Sequence, residues 1–209
     1  MSSEAETSLN ISEIVRDSST SVGMTKKLSA FTIIELLVVI SIIIILAGLI
    51  LSTVGYVQEK GAHSRTEAEI AAMSAALESY KADNGVYVRD GDTDALDAKN
   101  AANCDPNSGD PKYKAATLSL YKALSGDSAA NRQPTGTSYF SFRPNMLHPK
   151  GNVTTVDAVV DAWGNCYGYS TANQANAKNG YNPTFDLWSS GTPISGVPNT
   201  NPNKFIKNW

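Results

Sequence analysis

The chain has 209 residues, 42% of them hydrophobic and 18% charged, with a formal net charge of -3. This size fits one domain of ordinary length plus an appendage. The balance is slightly acidic and supplies no basic footprint, so no nucleic-acid partner is expected.

Residues 1–30 are polar, mix Arg16, Lys26 and Lys27 with acids, and show no sustained periodicity, as a processing or targeting segment does. A secretory signal places small residues after its apolar run. Here Ser29-Ala30 precede it, so the run is expected to stay in the mature chain. From Phe31 to Leu51 the sequence is dense in Ile, Leu and Val and holds one ionisable residue, the carboxylate Glu35. A helix over this stretch would be about 30 Å long, which matches the hydrocarbon thickness of a bilayer. Lys26 and Lys27 in front of it favour a cytoplasmic N-terminus and an exported remainder. An ionisable group in such a span is costly and is a functional candidate by default; snorkelling from near the segment's start is the bland alternative for Glu35.

No proline interrupts residues 33–84. Ile70, Met73, Leu77 and Tyr80 recur at helical spacing as a packing seam, with Glu67, Glu78 and Lys81 marking polar positions. Asn84-Gly85 supplies a left-handed stop. The spacing therefore predicts one helix from about Phe31 to Asp83, with Gly48, Gly55 and Gly61 as soft spots.

After Gly85 the chain turns to Asn, Gly, Pro, Ser, Thr and Tyr. The segment from Val86 reads as a short extended piece followed by loop, and "KAATLSLYKALSG" reads as a small helix. "TSYFSFRP", "NVTTVDAVVDAW", "CYGYST" and "TFDLWSSG" are β-branched or aromatic runs bounded by turn residues, and are predicted strands. The expected fold class is α+β: a long N-terminal helix packed on a small antiparallel head. The domain division is 1–30 leader, 31–52 membrane helix, 53–84 amphipathic continuation and 85–209 head. Cys104 and Cys166 lack zinc spacing, which leaves two free thiols or one disulfide open; an exported head favours the disulfide.

"KK" followed by "SAFTIIELLVVI" and a helix ending in "ALESYKADNGVYV" resembles the type IV pilin-like superfamily. The resemblance implies that a dedicated peptidase cuts between Ala30 and Phe31, that the new Phe31 amine is methylated, and that Glu35 serves filament assembly. The residue before the cut is usually Gly in that family; Ala30 is a small substitute. "DAWGNCYGY", "FDLWSSG" and "IKNW" are similar to stretches of the major pseudopilins of type II secretion. That likeness implies a homo-oligomeric helical filament, an inner-membrane precursor with a periplasmic head, and minor pseudopilins and assembly machinery as partners. A freed Phe31 amine would pair with Glu35 of a neighbouring subunit and set axial register. A type IV pilus subunit and a membrane-tethered binding protein that never polymerises are the alternatives.

Two features depart from the family. Ser52 stands where a helix-softening proline is common. Major pseudopilins bind calcium through acidic residues of a C-terminal loop, but this chain has no Asp or Glu after Asp186, so the site is not carried over and no cofactor is expected. Asp90, Asp92 and Asp94 have the first spacings of a calcium loop, with Ala95 and Ala101 where its Gly and Glu belong; a solvated acidic turn is the expectation. Asparagine turns and the apolar contacts of Phe205 and Trp209 are expected to hold the C-terminal loop. His63 and His148 lack metal-ligand spacing, enzyme signatures are absent, and Trp163, Tyr167 and Trp188 read as core aromatics rather than a sugar platform.

Overall fold

The computed structural model describes residues 31–102, 104–107, 109–151, 154–193 and 201–209; the leader 1–30, with Ala30, lies outside them. Two compact units meet in sequence between Leu49 and Ile50. The architecture is α+β, with one long apolar N-terminal helix and small antiparallel sheets.

Helix α1 spans Ile33–Asn84, 52 residues without a break at Gly48, Ser52, Gly55 or Gly61. It ends as the sequence predicts: Gly85 adopts φ 77° and its N–H returns to Lys81 O at 2.7 Å. Ile70, Met73 and Leu77 are buried and Tyr80 is half-buried, as the seam requires. The same face buries Thr66, Ala76 and a charged residue, Glu69.

The segment predicted as loop after Gly85 holds two short helical pieces instead. Asp90 caps α2 (Gly91–Ala95) through a reciprocal box with Thr93, and Asp97 caps a 3-10 turn at Ala98–Asn100. Helix α3 (Pro111–Ser125) begins before the predicted "KAATLSLYKALSG", because Asp110 caps it and Pro111 fits its first turn. It stops at Gly126, φ 73°, where any Cβ would fall 2.6 Å from Gly136 O.

Strands β1 (Leu147–His148) and β2 (Ala158–Val159) pair antiparallel. A second antiparallel sheet orders β3 (Gly168–Ser170), β4 (Asp186–Ser189) and β5 (Ile206–Lys207) with β4 central. "NVTTVDAVVDAW", "CYGYST" and "TFDLWSSG" therefore contain β2, β3 and β4. "TSYFSFRP" contains no strand. The N–H groups of Tyr139 and Phe140 bond Leu124 O at the end of α3, at 2.8 and 2.9 Å, and Phe140 and Phe142 pack edge-to-face 4.7 Å apart. The aromatic run is spent on capping and packing a helix end. In the C-terminal segment, expected as loop, Phe205 is buried and β5 extends the sheet.

Within the second unit, one core joins Ile70, Met73 and Leu77 of α1, Leu120 and Leu124 of α3, and Tyr169 and Leu187 of the sheet. A second core groups Leu96, Cys104, Tyr113, Cys166, Trp188 and Phe205.

Candidate functional site

The candidate residues fall at the start of α1. Phe31 precedes the helix and is exposed. Glu35 occupies the first turn, and its Oε2 accepts from Thr32 N at 2.9 Å and Thr32 Oγ1 at 2.8 Å. Thr32 Oγ1 in turn accepts from Glu35 N at 3.3 Å. Thr32 and Glu35 thus form a reciprocal capping box, which satisfies donors that a helix start leaves orphaned. The Thr32-x-x-Glu35 spacing is legible in the sequence, and a reading centred on the apolar run passes over it. Among the described residues no cation lies within ion-pair distance of Glu35.

From Leu36 to Leu51 the helix carries no charged side chain. The large hydrophobic residues between Phe31 and Leu51 are 47% to 85% exposed. A helix with no polar face is at home in a core or a membrane, and this one is long and apolar enough to cross a bilayer. Two hydroxyl groups in and next to this stretch turn inward to the backbone: Ser41 Oγ donates to Leu37 O at 2.8 Å and Thr53 Oγ1 to Ile50 O at 2.9 Å. Such bonds satisfy these two hydroxyl donors without water, as a hydrocarbon setting requires.

In the head, Cys104 and Cys166 come together although 62 positions separate them: both are buried free thiols, with sulfur atoms 3.1 Å apart. Asp90, Asp92 and Asp94 do not converge on a cation. Asp90 caps α2, and Asp94 pairs with Arg89 at 3.0 Å and accepts from Thr171 Oγ1 at 2.8 Å. Among the described residues no group of three or more His, Cys, Asp or Glu is placed to hold a metal. His63 pairs with Glu67 at 3.4 Å and His148 with Asp157 at 2.6 Å. Tyr167 and Trp188 are fully buried and Trp163 is half-buried, packed among core side chains. Residues 194–200 of the C-terminal loop lie outside the described residues.

Four acids are buried, Glu69, Asp127, Asp161 and Asp186, none singled out as buried in the sequence; Glu69 and Asp161 join distant segments. Glu69, 1% exposed, accepts from Arg65 Nε at 2.8 Å and Tyr167 Oη at 2.7 Å, with Arg143 at 3.4 Å. Burial and the adjacent Glu69 charge push the Tyr167 hydroxyl well above its ordinary range. Asp161 accepts from the N–H groups of Trp163 and Asn165, each at 2.9 Å, and from Ser189 Oγ at 2.5 Å. Burial outweighs these bonds and pushes its carboxyl up to about 6. Both acids organise the fold: one holds α1 to the head, and the other ties the Trp163 turn to β4.

Comparison with protein-family models, curated proteins and solved structures found no match for this chain.

Proposed function

We propose that this chain is a structural subunit of a type II secretion pseudopilus, with a pilin-like fold. It is made as a bacterial inner-membrane precursor with its N-terminus cytoplasmic and its head periplasmic. Prepilin peptidase cuts it between Ala30 and Phe31, the Phe31 amine is methylated, and the product polymerises through α1 to drive protein export. Its partners are further copies of itself, minor pseudopilins and the inner-membrane assembly machinery. Its role is mechanical and needs no catalytic residue and no cofactor.

The observation that carries the reading is the first part of α1, exposed and apolar from Leu36 to Leu51, with a single carboxylate, Glu35, in the first turn four residues after Phe31. In the membrane that surface faces lipid; in a filament it packs helix against helix. The Phe31 amine freed by cleavage pairs with Glu35 of the neighbouring subunit. An unpartnered charge in that dry bundle costs several kcal/mol, so the pair selects the one axial register that brings the two groups together.

The capping box favours a second reading, in which Glu35 merely starts the helix of a tethered binding protein that does not polymerise. Glu35→Gln separates the two. Glutamine preserves the capping acceptor and removes the charge. The filament reading expects normal membrane insertion with filaments lost under electron microscopy. Filaments at the native level in Glu35→Gln would contradict it.

A further inference from the structure

Cys104 lies in the loop ahead of α3, and Cys166 lies just before β3, where it bridges Val160. Three observations bring them together. Their sulfur atoms are 3.1 Å apart. The Cys166 N–H donates to Cys104 O at 2.8 Å, which holds the two backbones as neighbouring strands are held, at a Cα separation of about 5–6 Å. A disulfide spans about 4.4–6.8 Å between Cα atoms. Both side chains sit inside the second core, 0% and 3% exposed, and nothing stands between the sulfurs.

We infer that Cys104 and Cys166 close into an intramolecular disulfide that fastens the segment carrying α3, β1 and β2 to the sheet. The inference rests on the proposed export of the head, because an oxidising compartment must supply the electron acceptor. That acceptor is a disulfide, carried by a dithiol oxidoreductase or by a small molecule such as oxidised glutathione. One protein thiolate attacks it, forming a mixed disulfide and expelling one acceptor sulfur as thiolate. The second protein thiolate then attacks the protein sulfur of that bond and expels the other. Two electrons pass from the cysteine pair to the acceptor, and the two thiol protons end on the two sulfurs released. In the folded, reduced head, the Cys166 S–H shares its proton with the Cys104 sulfur, and this bond together with burial holds the Cys166 thiol protonated. Exchange therefore takes place while the chain folds, before the second core closes over the sulfurs.

The test uses the full-length protein. Membranes are acid-quenched, alkylated in denaturant with and without prior reduction, and read by intact mass. The expected chain begins at Phe31, is two hydrogens lighter than its sequence with methylation included, and accepts label only after reduction. Detergent-solubilised protein should then lose about 5–15 °C of Tm on reduction, as expected for a bond closing a long loop. Cys104→Ser and Cys166→Ser should each melt where the reduced protein melts, and neither should respond to reductant. A chain that begins at Phe31 with two freely labelled thiols overturns the disulfide and leaves the filament reading standing. If the chain instead retains residues 1–30 with open thiols, the denatured full-length protein is refolded in reduced and oxidised glutathione. Closure there upholds the pair and contradicts the export reading; open thiols or glutathione adducts overturn the pair.

Discussion

Tyr167 donates to Glu69 Oε2 at 2.7 Å across 98 positions of sequence, and this one bond ties α1 to the chain that leads into β3. Glu69 also accepts from Arg65, while Arg143 lies 3.4 Å away. The two partners are not equivalent on removal. Tyr167→Phe leaves Glu69 its arginine and is expected to cost about 1–2 kcal/mol. Glu69→Ala strands the Tyr167 hydroxyl inside the core and opens a cavity, for about 3–5 kcal/mol. Denaturant melts of the two variants check the order; an equal or smaller loss for Glu69→Ala contradicts the clamp.

Asp161 gives the head a distinctive pH dependence. Its carboxyl is pushed from 3.8 up to about 6 by burial. Between those values the folded chain keeps a proton that the unfolded chain has released. The contribution is therefore fully present below the unfolded value and is lost as pH rises through about 6, a change of about 2–3 kcal/mol. Asp161→Asn keeps an acceptor for Trp163 N–H and Asn165 N–H but cannot ionise. Relative to the native chain, the variant should gain about 2–3 kcal/mol between about pH 4 and pH 7. A stability difference that stays constant across that range would show that Asp161 does not titrate as its burial requires.

Gly168 faces Trp188 across the β3–β4 pair, and a Cβ at 168 would lie 2.0 Å from the Trp188 ring. Gly168→Ala is expected to cost about 1–3 kcal/mol through overpacking. Trp188→Leu should be costly alone, by cavity formation, yet the double variant should be more stable than the sum of the two losses predicts. Additive losses in thermal melts would place the clash elsewhere.

The fold was legible where local chemistry decides and obscure where partners decide. Helix α1 and its Gly85 stop follow from periodicity, the missing proline and a residue free to take positive φ. β2, β3 and β4 lie inside runs marked by β-branched and aromatic residues. The two-residue β1 and β5 are too short to carry a pattern and exist because a neighbouring strand offers hydrogen bonds. "TSYFSFRP" has strand composition, but the N–H groups of Tyr139 and Phe140 are taken by Leu124 O. Glu69 looks like any helix-surface acid until Tyr167 arrives from far along the chain. The Glu35 region was legible as an apolar run with one charge, whereas its capping role is seen only by counting back to Thr32.

The central claim is that Phe31 becomes a free, methylated N-terminus facing a carboxylate on the next subunit. N-terminal peptide mass spectrometry of the membrane-derived protein, from cells with active prepilin peptidase, tests it most directly. The account predicts a chain that begins at Phe31 and carries one added methyl group. A chain retaining residues 1–30 would leave Glu35 without its amine partner and would contradict it.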